Sequence, residues 1–431
     1  MRLKSAIHAF YLAACRYPAM LFFKLKLYSA LKYYLQWISQ LPKTAGAMRV
    51  LEFYDIKAEP FNHVLYEGAE NINIWTPTAK GAAECLSLSS IPVYAFMLRN
   101  ATVFPASHLV AVGGRAYIDS FPYSSHAKNN RIRYDDRSIL IHDAQRMIVR
   151  NPAGTKRIAR GIHLLDSGGH NYFHFMIELL PKLLLLKEKA PAYAGWPLIV
   201  AASWRANENF KEVLRHAGFE NLLFLEEEEG LTAGELLYIS KLWNMPFNLK
   251  YGHFEISDLR YHPALFRLYD AFIEGLPPGH AGAEGMPGRI LLSRANTGQR
   301  KYNDKEIEGI AAAHGFEIVD AGKLSFIGQF HLFRNAECIV GPTGASWTNL
   351  IFASAGTRAL CWMSELWGEF PAFSTLAAMR GVELQYIIFP PGSAKEPHHD
   401  YYLDPEIFER RLLKLLNRPA GSKNEKISAH E

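Results

Sequence analysis

Glu337-Cys-Ile-Val-Gly-Pro-Thr-Gly-Ala-Ser-Trp-Thr-Asn-Leu-Ile-Phe-Ala-Ser-Ala-Gly-Thr357 is the stretch on which the architecture turns. It opens as an apolar strand, passes through a Gly-rich turn (Gly341, Pro342, Thr343, Gly344) and continues as a helix over 345–354. A strand that runs into a tight turn at a helix start leaves backbone N–H groups without intrahelical partners, which suits an anion such as a diphosphate. Gly341 and Gly344 permit the turn, Pro342 fixes φ, and Thr343, Ser346 and Asn349 offer side-chain hydrogen bonds. The plain alternative is a simple connector between strand and helix, since Gly-rich turns serve that purpose too.

Outward from this stretch the chain alternates regularly. Strands are expected at 289–293, 316–319, 337–340, 359–363 and 384–389, and helices at 304–314, 325–336, 345–354, 371–380 and 405–416. Five strands, each followed by a helix, predict a parallel, doubly wound α/β sheet, with ligands bound beyond the carboxyl ends of the strands. Upstream, residues 275–289 are rich in Gly, Pro and Ala and read as a linker. Before it, short apolar runs over 90–150 read as strands and hairpins. Mixed elements follow: a helix over 170–189, a strand over 196–201, a helix over 207–217 and a strand over 221–225.

At 431 residues the chain is long enough for two domains, and its 49% hydrophobic and 21% charged composition is that of a globular protein. Four scattered cysteines (Cys15, Cys85, Cys338, Cys361) form no C-x-x-C pair, which argues against a disulfide framework or a zinc ribbon and fits a reducing, cytoplasmic setting. Of 47 basic residues, eight fall within residues 1–50, which contain no acidic residue, leaving 39 against 42 acidic residues in the remainder. The body is therefore nearly neutral, and a nucleic-acid partner is not indicated.

The basic excess accompanies an amphipathic pattern over 20–41. Phe23, Leu27, Ala30, Leu31, Tyr34, Trp37, Ile38 and Leu41 share one arc at helical period, opposite Lys24, Ser29, Lys32, Gln36, Ser39 and Gln40. Lysines at 24, 26 and 32 interrupt any apolar run long enough to span a bilayer. Such a helix is suited either to lying at a membrane surface or to packing on the protein's own body. The first fifteen residues also resemble a lipoprotein signal, though their apolar run is short and contains His8.

Two groups of residues suggest chemistry. His170, His174 and Glu178 recur every four residues and are expected on one helix face, where a carboxylate one turn away orients an imidazole and raises its basicity. Pro181 is expected to kink that helix or to start a second one. The bland alternative for each histidine is a satisfied core residue. The second group is Ser293-Arg294 at the end of the strand over 289–293, which places positive charge where a phosphate would lie. Arg300 and Lys301 in the loop beyond add to that charge, with solvated loop charge as the bland alternative, which fits these two better than Arg294. His398-His399-Asp400 reads as exposed loop. No D-x-D, Walker A or G-x-G-x-x-G sequence occurs, so the carboxylate pair typical of Mn²⁺-dependent sugar transferases is missing.

Together, Asn171-Tyr-Phe-His174 with Glu178-Leu-Leu-Pro181, Leu291-Leu-Ser-Arg294, Leu324-Ser-Phe326, and Gly341-Pro-x-Gly-Ala-x-x-Thr-Asn349 with Phe352 and Gly356-Thr357 resemble glycosyltransferase family 61 over roughly residues 90–390. The resemblance implies a GT-B-like fold of two facing Rossmann-like domains. An arm would occupy residues 1–50, an acceptor-side domain 51–275, a nucleotide-sugar domain 276–418, and a disordered tail 419–431. It implies inverting sugar transfer from a nucleotide-sugar to a hydroxyl of a glycan or lipid-linked glycan, with no cofactor and no required metal. His174 and Glu178 match the acceptor-side motif and are the catalytic candidates, either of which could serve as base, with His170 and Asn171 beside them. Ser293, Arg294, Gly341, Thr343, Gly344, Ala345 and Asn349 match the donor side. Thr343, Ser346 and Trp347 depart from the family's usual Gly-Pro-His-Gly-Ala-Gly-Leu-Thr-Asn, and Trp347 is expected to narrow the pocket or to offer a stacking face. Work at the inner membrane face, as in bacterial capsule or lipopolysaccharide assembly, is the setting by analogy. A non-catalytic nucleotide-sugar or glycan-binding scaffold, and an epimerase on the same architecture, are the alternatives. Oligomeric state is not legible.

Overall fold

A computed structural model of the protein describes residues 17–38, 48–53, 62–68, 71–77, 84–105, 107–118, 136, 138–142, 146–152, 154–245, 256–277, 285–294 and 298–417. Residues 278–284 of the linker-like stretch, Leu41 and the tail from 419 lie outside these residues.

The C-terminal part forms a parallel five-stranded sheet of Arg289–Leu292, Glu317–Val319, Cys338–Pro342, Arg358–Ser364 and Glu383–Phe389. Numbered along the chain, the lateral order of these strands is 2-1-3-4-5. Alternate residues face opposite sides, as a strand requires. Leu291, Val340, Leu360 and Trp362 pack with Ile307, Ala311, Phe408 and Leu412 from helices Asp304–Ala313 and Pro405–Leu416. Ile290, Leu292, Ile339 and Ala359 face the other layer, made by Phe326–Asn335, Ala345–Phe352 and Ala372–Met379. The doubly wound reading is correct strand by strand. One element differs: Ala345–Phe352 is a 3₁₀-helix, shorter than the expected 345–354.

The N-terminal part builds on four strands, Gly154–His163, Leu198–Ala201, Leu222–Leu225 and Glu229–Ile239, which are mutually parallel in the order 3-2-1-4. Glu229–Ile239 then pairs antiparallel with Val93–Val103, and the sheet continues through Val110–Val112, Arg115–Tyr117, Met48–Phe53, Arg146–Arg150 and Ile139–His142. The antiparallel extension matches the strands and hairpins expected over 90–150. The parallel pair Gly154–His163 and Glu229–Ile239 was not foreseen, because glycines, lysines and glutamates interrupt its apolar pattern.

The helix expected over 170–189 begins only at residue 172, with His170 in the preceding turn. His174–Leu179 is π-helical, Leu180 donating its N–H to Phe175 O, and Leu180–Lys189 is α-helical with Pro181 in its first turn. Proline has no N–H and crowds the carbonyl four residues back, so the wider turn ahead of it relieves both problems. The expected kink is thus a change of helix type, and the α-helix does restart at Pro181.

The two sheets share one apolar core. A single cluster of buried side chains runs from Ile72, Leu164 and Leu183 to Leu268, Phe326, Leu350 and Leu376. Polar contacts tie the same elements. Ser374 Oγ donates to Trp75 O at 2.6 Å, and Asn209 Nδ2 to Leu324 O at 3.0 Å. Glu212 Oε2 accepts from Phe326 N at 2.8 Å at the start of helix Phe326–Asn335.

The amphipathic arm is not one helix. Residues 17–24 and Tyr28–Ile38 are separate helices. Lys26 has φ 57°, with its N–H on Phe23 O and the Leu27 N–H on Phe22 O, a Schellman-type stop. The break puts the expected arc out of register. Ala19, Phe23 and Leu31 are buried against Leu140 and Ile148 of the body, whereas Leu27 and Ala30 are exposed. The side chains of Lys32, Gln36, Trp37 and Ile38 lie outside what is described. Among the described residues no helix is long and apolar enough to cross a membrane.

Candidate functional site

Both parallel blocks have a switch point, where neighbouring strands lead to connections on opposite sides and their carboxyl ends open a crevice. In the C-terminal sheet it lies between Arg289–Leu292 and Cys338–Pro342, and Arg294 and Thr343 stand at its mouth. Arg294 Nη1 donates to Thr343 O at 3.1 Å, and Arg300 Nη1 donates to the same oxygen at 3.0 Å. Burial pushes down the pKa of both guanidinium groups, and in Arg300 the neighbouring charge of Arg294 adds to the effect. Two partly desolvated like charges on one carbonyl favour an anion between them. The adjoining cleft is lined by Trp362, Ser364, Trp367, Phe389 and Tyr401 as well as the two arginines. Arg300 also stacks over Trp367, 5.8 Å from the ring centroid.

Several sequence expectations are revised here. Arg300 belongs with Arg294 and is not solvated loop charge, whereas Lys301 is exposed, its N–H bonded to Asp400. Trp347 is fully buried, with its indole N–H on Pro342 O at 2.9 Å, so it offers no stacking face to a ligand. Asn349 is also fully buried and is spent on Tyr172 Oη (2.7 Å) and Gln329 Oε1 (2.9 Å). Ser293 Oγ donates to Glu308 at 2.7 Å. Gly341 lies in the strand, where a Cβ would come within 2.8 Å of Leu292 Cβ, so its role is close strand approach. At Gly344 a Cβ would meet Arg294 Nη1 at 2.5 Å, so the missing side chain is what lets the guanidinium lie over the turn. Ala345, half-exposed, opens the 3₁₀-helix whose first N–H groups have no partner within it.

The second switch point lies between Gly154–His163 and Glu229–Ile239, whose carboxyl ends lead to Asp166 and Lys241. Lys241 Nζ is 2.8 Å from Asp166 Oδ2 and 2.5 Å from Glu178 Oε2, and all three side chains are buried. Glu178 Oε1 is 3.1 Å from His174 Nδ1, and the His174 side chain is 24% exposed. His108 Nδ1 is 3.9 Å from Asp166. Burial alone would raise both carboxyl pKa values. Lys241, together with His174 at Glu178 and with His108 and His174 at Asp166, outweighs it and holds both below the usual range. Burial likewise works against the lysine charge, but Asp166 and Glu178 raise its pKa above the ordinary value. His174 itself rests on Gly168, where a Cβ would come within 2.7 Å of its Cδ2.

The expected face of His170, His174 and Glu178 therefore reduces to His174 and Glu178. His170 is exposed in the turn, and Asn171 caps the helix by accepting from Phe173 N at 2.9 Å. Lys241 and Asp166 were missed because they join Glu178 only through strand pairing, and neither lies in a local motif. Gly168-Gly169 before the helix was the one local signal of an unusual turn. A hydrogen bond joins the two sides, from Tyr172, two residues before His174, to Asn349 in the helix that follows Gly344. Among the described residues, no group of three or more His, Cys, Asp or Glu side chains is placed to hold a metal ion.

The molecule thus holds a cleft with paired arginines and, at its other switch point, an imidazole held by a buried carboxylate. Residues 172–360 match the family model described as Glycosyltransferase 61. Over that span, a little under half of the chain, the sequence is similar to this family. No curated protein matches the chain.

Proposed function

We propose that the protein transfers a sugar from a nucleotide-sugar to a hydroxyl of a glycan or lipid-linked glycan, with inversion and without an obligatory metal, on a GT-B-like pair of Rossmann-like units. The observation that carries this reading is the bridge from Tyr172 to Asn349, which couples the arginine crevice to the His174 crevice. In the proposed reaction the acceptor oxygen bonds to the anomeric carbon from the face opposite the leaving group. The bond from that carbon to the diphosphate oxygen breaks, and the nucleoside diphosphate departs with the electron pair. Arg294 and Arg300 take up the charge of the diphosphate. The acceptor proton goes to His174. Glu178 serves as its orienter and not as the base, because it has no exposed surface and its two oxygens face His174 and Lys241.

The test is a thermal-shift panel of nucleotides and nucleotide-sugars, with and without EDTA, on the wild type and Arg294→Ala, followed by product analysis with glycan acceptors. A ligand at a hundred times its dissociation constant adds about 2.7 kcal/mol of stability. Stabilisation by one nucleoside diphosphate that survives EDTA and disappears in the variant is the expected result. Folded protein that responds to no nucleotide overturns the reading.

A further inference from the structure

Large exposed apolar side chains concentrate in one place. Of the ten among the described residues, five belong to the segment 17–38: Tyr17 (71%), Leu21 (55%), Leu25 (58%), Leu27 (48%) and Tyr33 (73%). Tyr17, Leu21 and Leu25 follow one another at intervals of four, so they form a stripe along the first helix and into its stop. The opposite side of the same segment is already in use, because Ala19, Phe23 and Leu31 bury against Leu140 and Ile148. Arg146 stacks on Tyr28, 4.3 Å from its ring centroid, and adds a contact between segment and body. The segment is thus fixed to the body on one side and presents leucines and tyrosines on the other.

Exposed Lys24 and Lys26 accompany these leucines, and residues 1–50 carry eight basic and no acidic residues while the remainder is slightly acidic. An apolar stripe alone would suit many partners. Apolar side chains interleaved with lysines, on the one part of the chain with a strong charge of one sign, suit a surface with an apolar interior and an anionic face. We infer that this face is a docking surface for an anionic lipid bilayer. Leu21, Leu25 and Leu27 enter the acyl boundary, Tyr17 and Tyr33 lie at headgroup depth, and Lys24 and Lys26 pair with lipid phosphates. The body travels with the segment, because the buried face of Phe23 and Leu31 couples them.

Co-sedimentation of the full chain with vesicles tests this. Vesicles of phosphatidylcholine with phosphatidylglycerol are expected to retain the protein, and vesicles of phosphatidylcholine alone to retain far less. Leu21→Asp/Leu25→Asp should abolish retention, and Lys24→Gln/Lys26→Gln should weaken it about fivefold per lysine, with loss in high salt. All four positions are exposed, so the variants should melt with the wild type, and nucleotide binding in the same preparation reports on the fold independently. Absence of retention by anionic vesicles, or retention unchanged in the double aspartate variant, overturns the inference. So does a wild type that sediments as a dimer in lipid-free buffer and becomes monomeric in that variant, since the face would then belong to a second copy.

Discussion

Two guanidinium groups that donate to one carbonyl oxygen hold like charges close together, as Arg294 and Arg300 do at Thr343 O. Under the proposed function, Arg300→Ala should weaken nucleoside-diphosphate binding by roughly tenfold to a hundredfold, the range of a charge-assisted hydrogen bond. Calorimetric titration measures it directly. On the acceptor side, His174→Ala should lower kcat about a hundredfold to ten-thousandfold with nucleotide affinity intact. Gly168→Ala should act in the same direction, because its methyl group would displace the imidazole. The buried ions behave differently. Lys241→Ala leaves Asp166 and Glu178 without their common counter-charge and should cost about 3–5 kcal/mol in denaturant unfolding. The sign of the pH dependence follows from the shifts. The depressed carboxyl groups contribute stability above their ordinary pKa of about 4, and it is lost as pH falls through their lower folded values. The raised Lys241 contributes below about pH 10, and its share is lost as pH rises through its folded value. Denaturant midpoints should therefore fall steeply on the acid side, and the acid limb should flatten in Lys241→Ala.

Elements were legible wherever one periodicity covered them. The three inner C-terminal strands read correctly because each is a short apolar run buried on both faces and bounded by turn residues, and the more exposed edge strands Glu317–Val319 and Glu383–Phe389 because they fall in the same strand–helix alternation. Gly154–His163 escaped because seven of its ten residues, from Gly154 to Arg160, are exposed or half-exposed, and Glu229–Ile239 because two glycines and an acidic lead-in mimic a loop. The arm failed for a related reason: a moment taken over 20–41 assumes an unbroken helix, and a lysine in the left-handed region at 26 cannot be read from composition. In the site, residues within a single helix or turn were found, and those delivered by strand pairing, Lys241 and Asp166, were not. Arg300 was misjudged because its burial depends on Trp367 and on the turn at 343. One element-scale contact gives a further prediction. Glu212 caps helix Phe326–Asn335 from another helix, placing a carboxylate at the positive end of its dipole. Glu212→Ala should destabilise the fold by about 1–2 kcal/mol, measurable as a shift in urea midpoint.

For the molecule as a whole, the continuous core across both sheets predicts a single cooperative unfolding transition by calorimetry, with tryptophan fluorescence and far-UV circular dichroism superimposing. Two resolved transitions would mean that the shared cluster contributes little. Cooperative unfolding would also limit how the activity could be re-engineered. Grafting another protein's C-terminal part onto this chain at a junction near residue 275 looks straightforward from sequence, since it falls in a Gly- and Pro-rich stretch. The graft would sever Tyr172 from Asn349, Asn209 from Leu324, Glu212 from Phe326 and Trp75 from Ser374 at a stroke. A chimaera that keeps the chain's natural seam but not these four pairings should be insoluble, whereas one that transplants the pairings together with the half should fold. Under the proposed function, sugar specificity would therefore be exchanged more readily by substitution inside the cleft than by shuffling of halves.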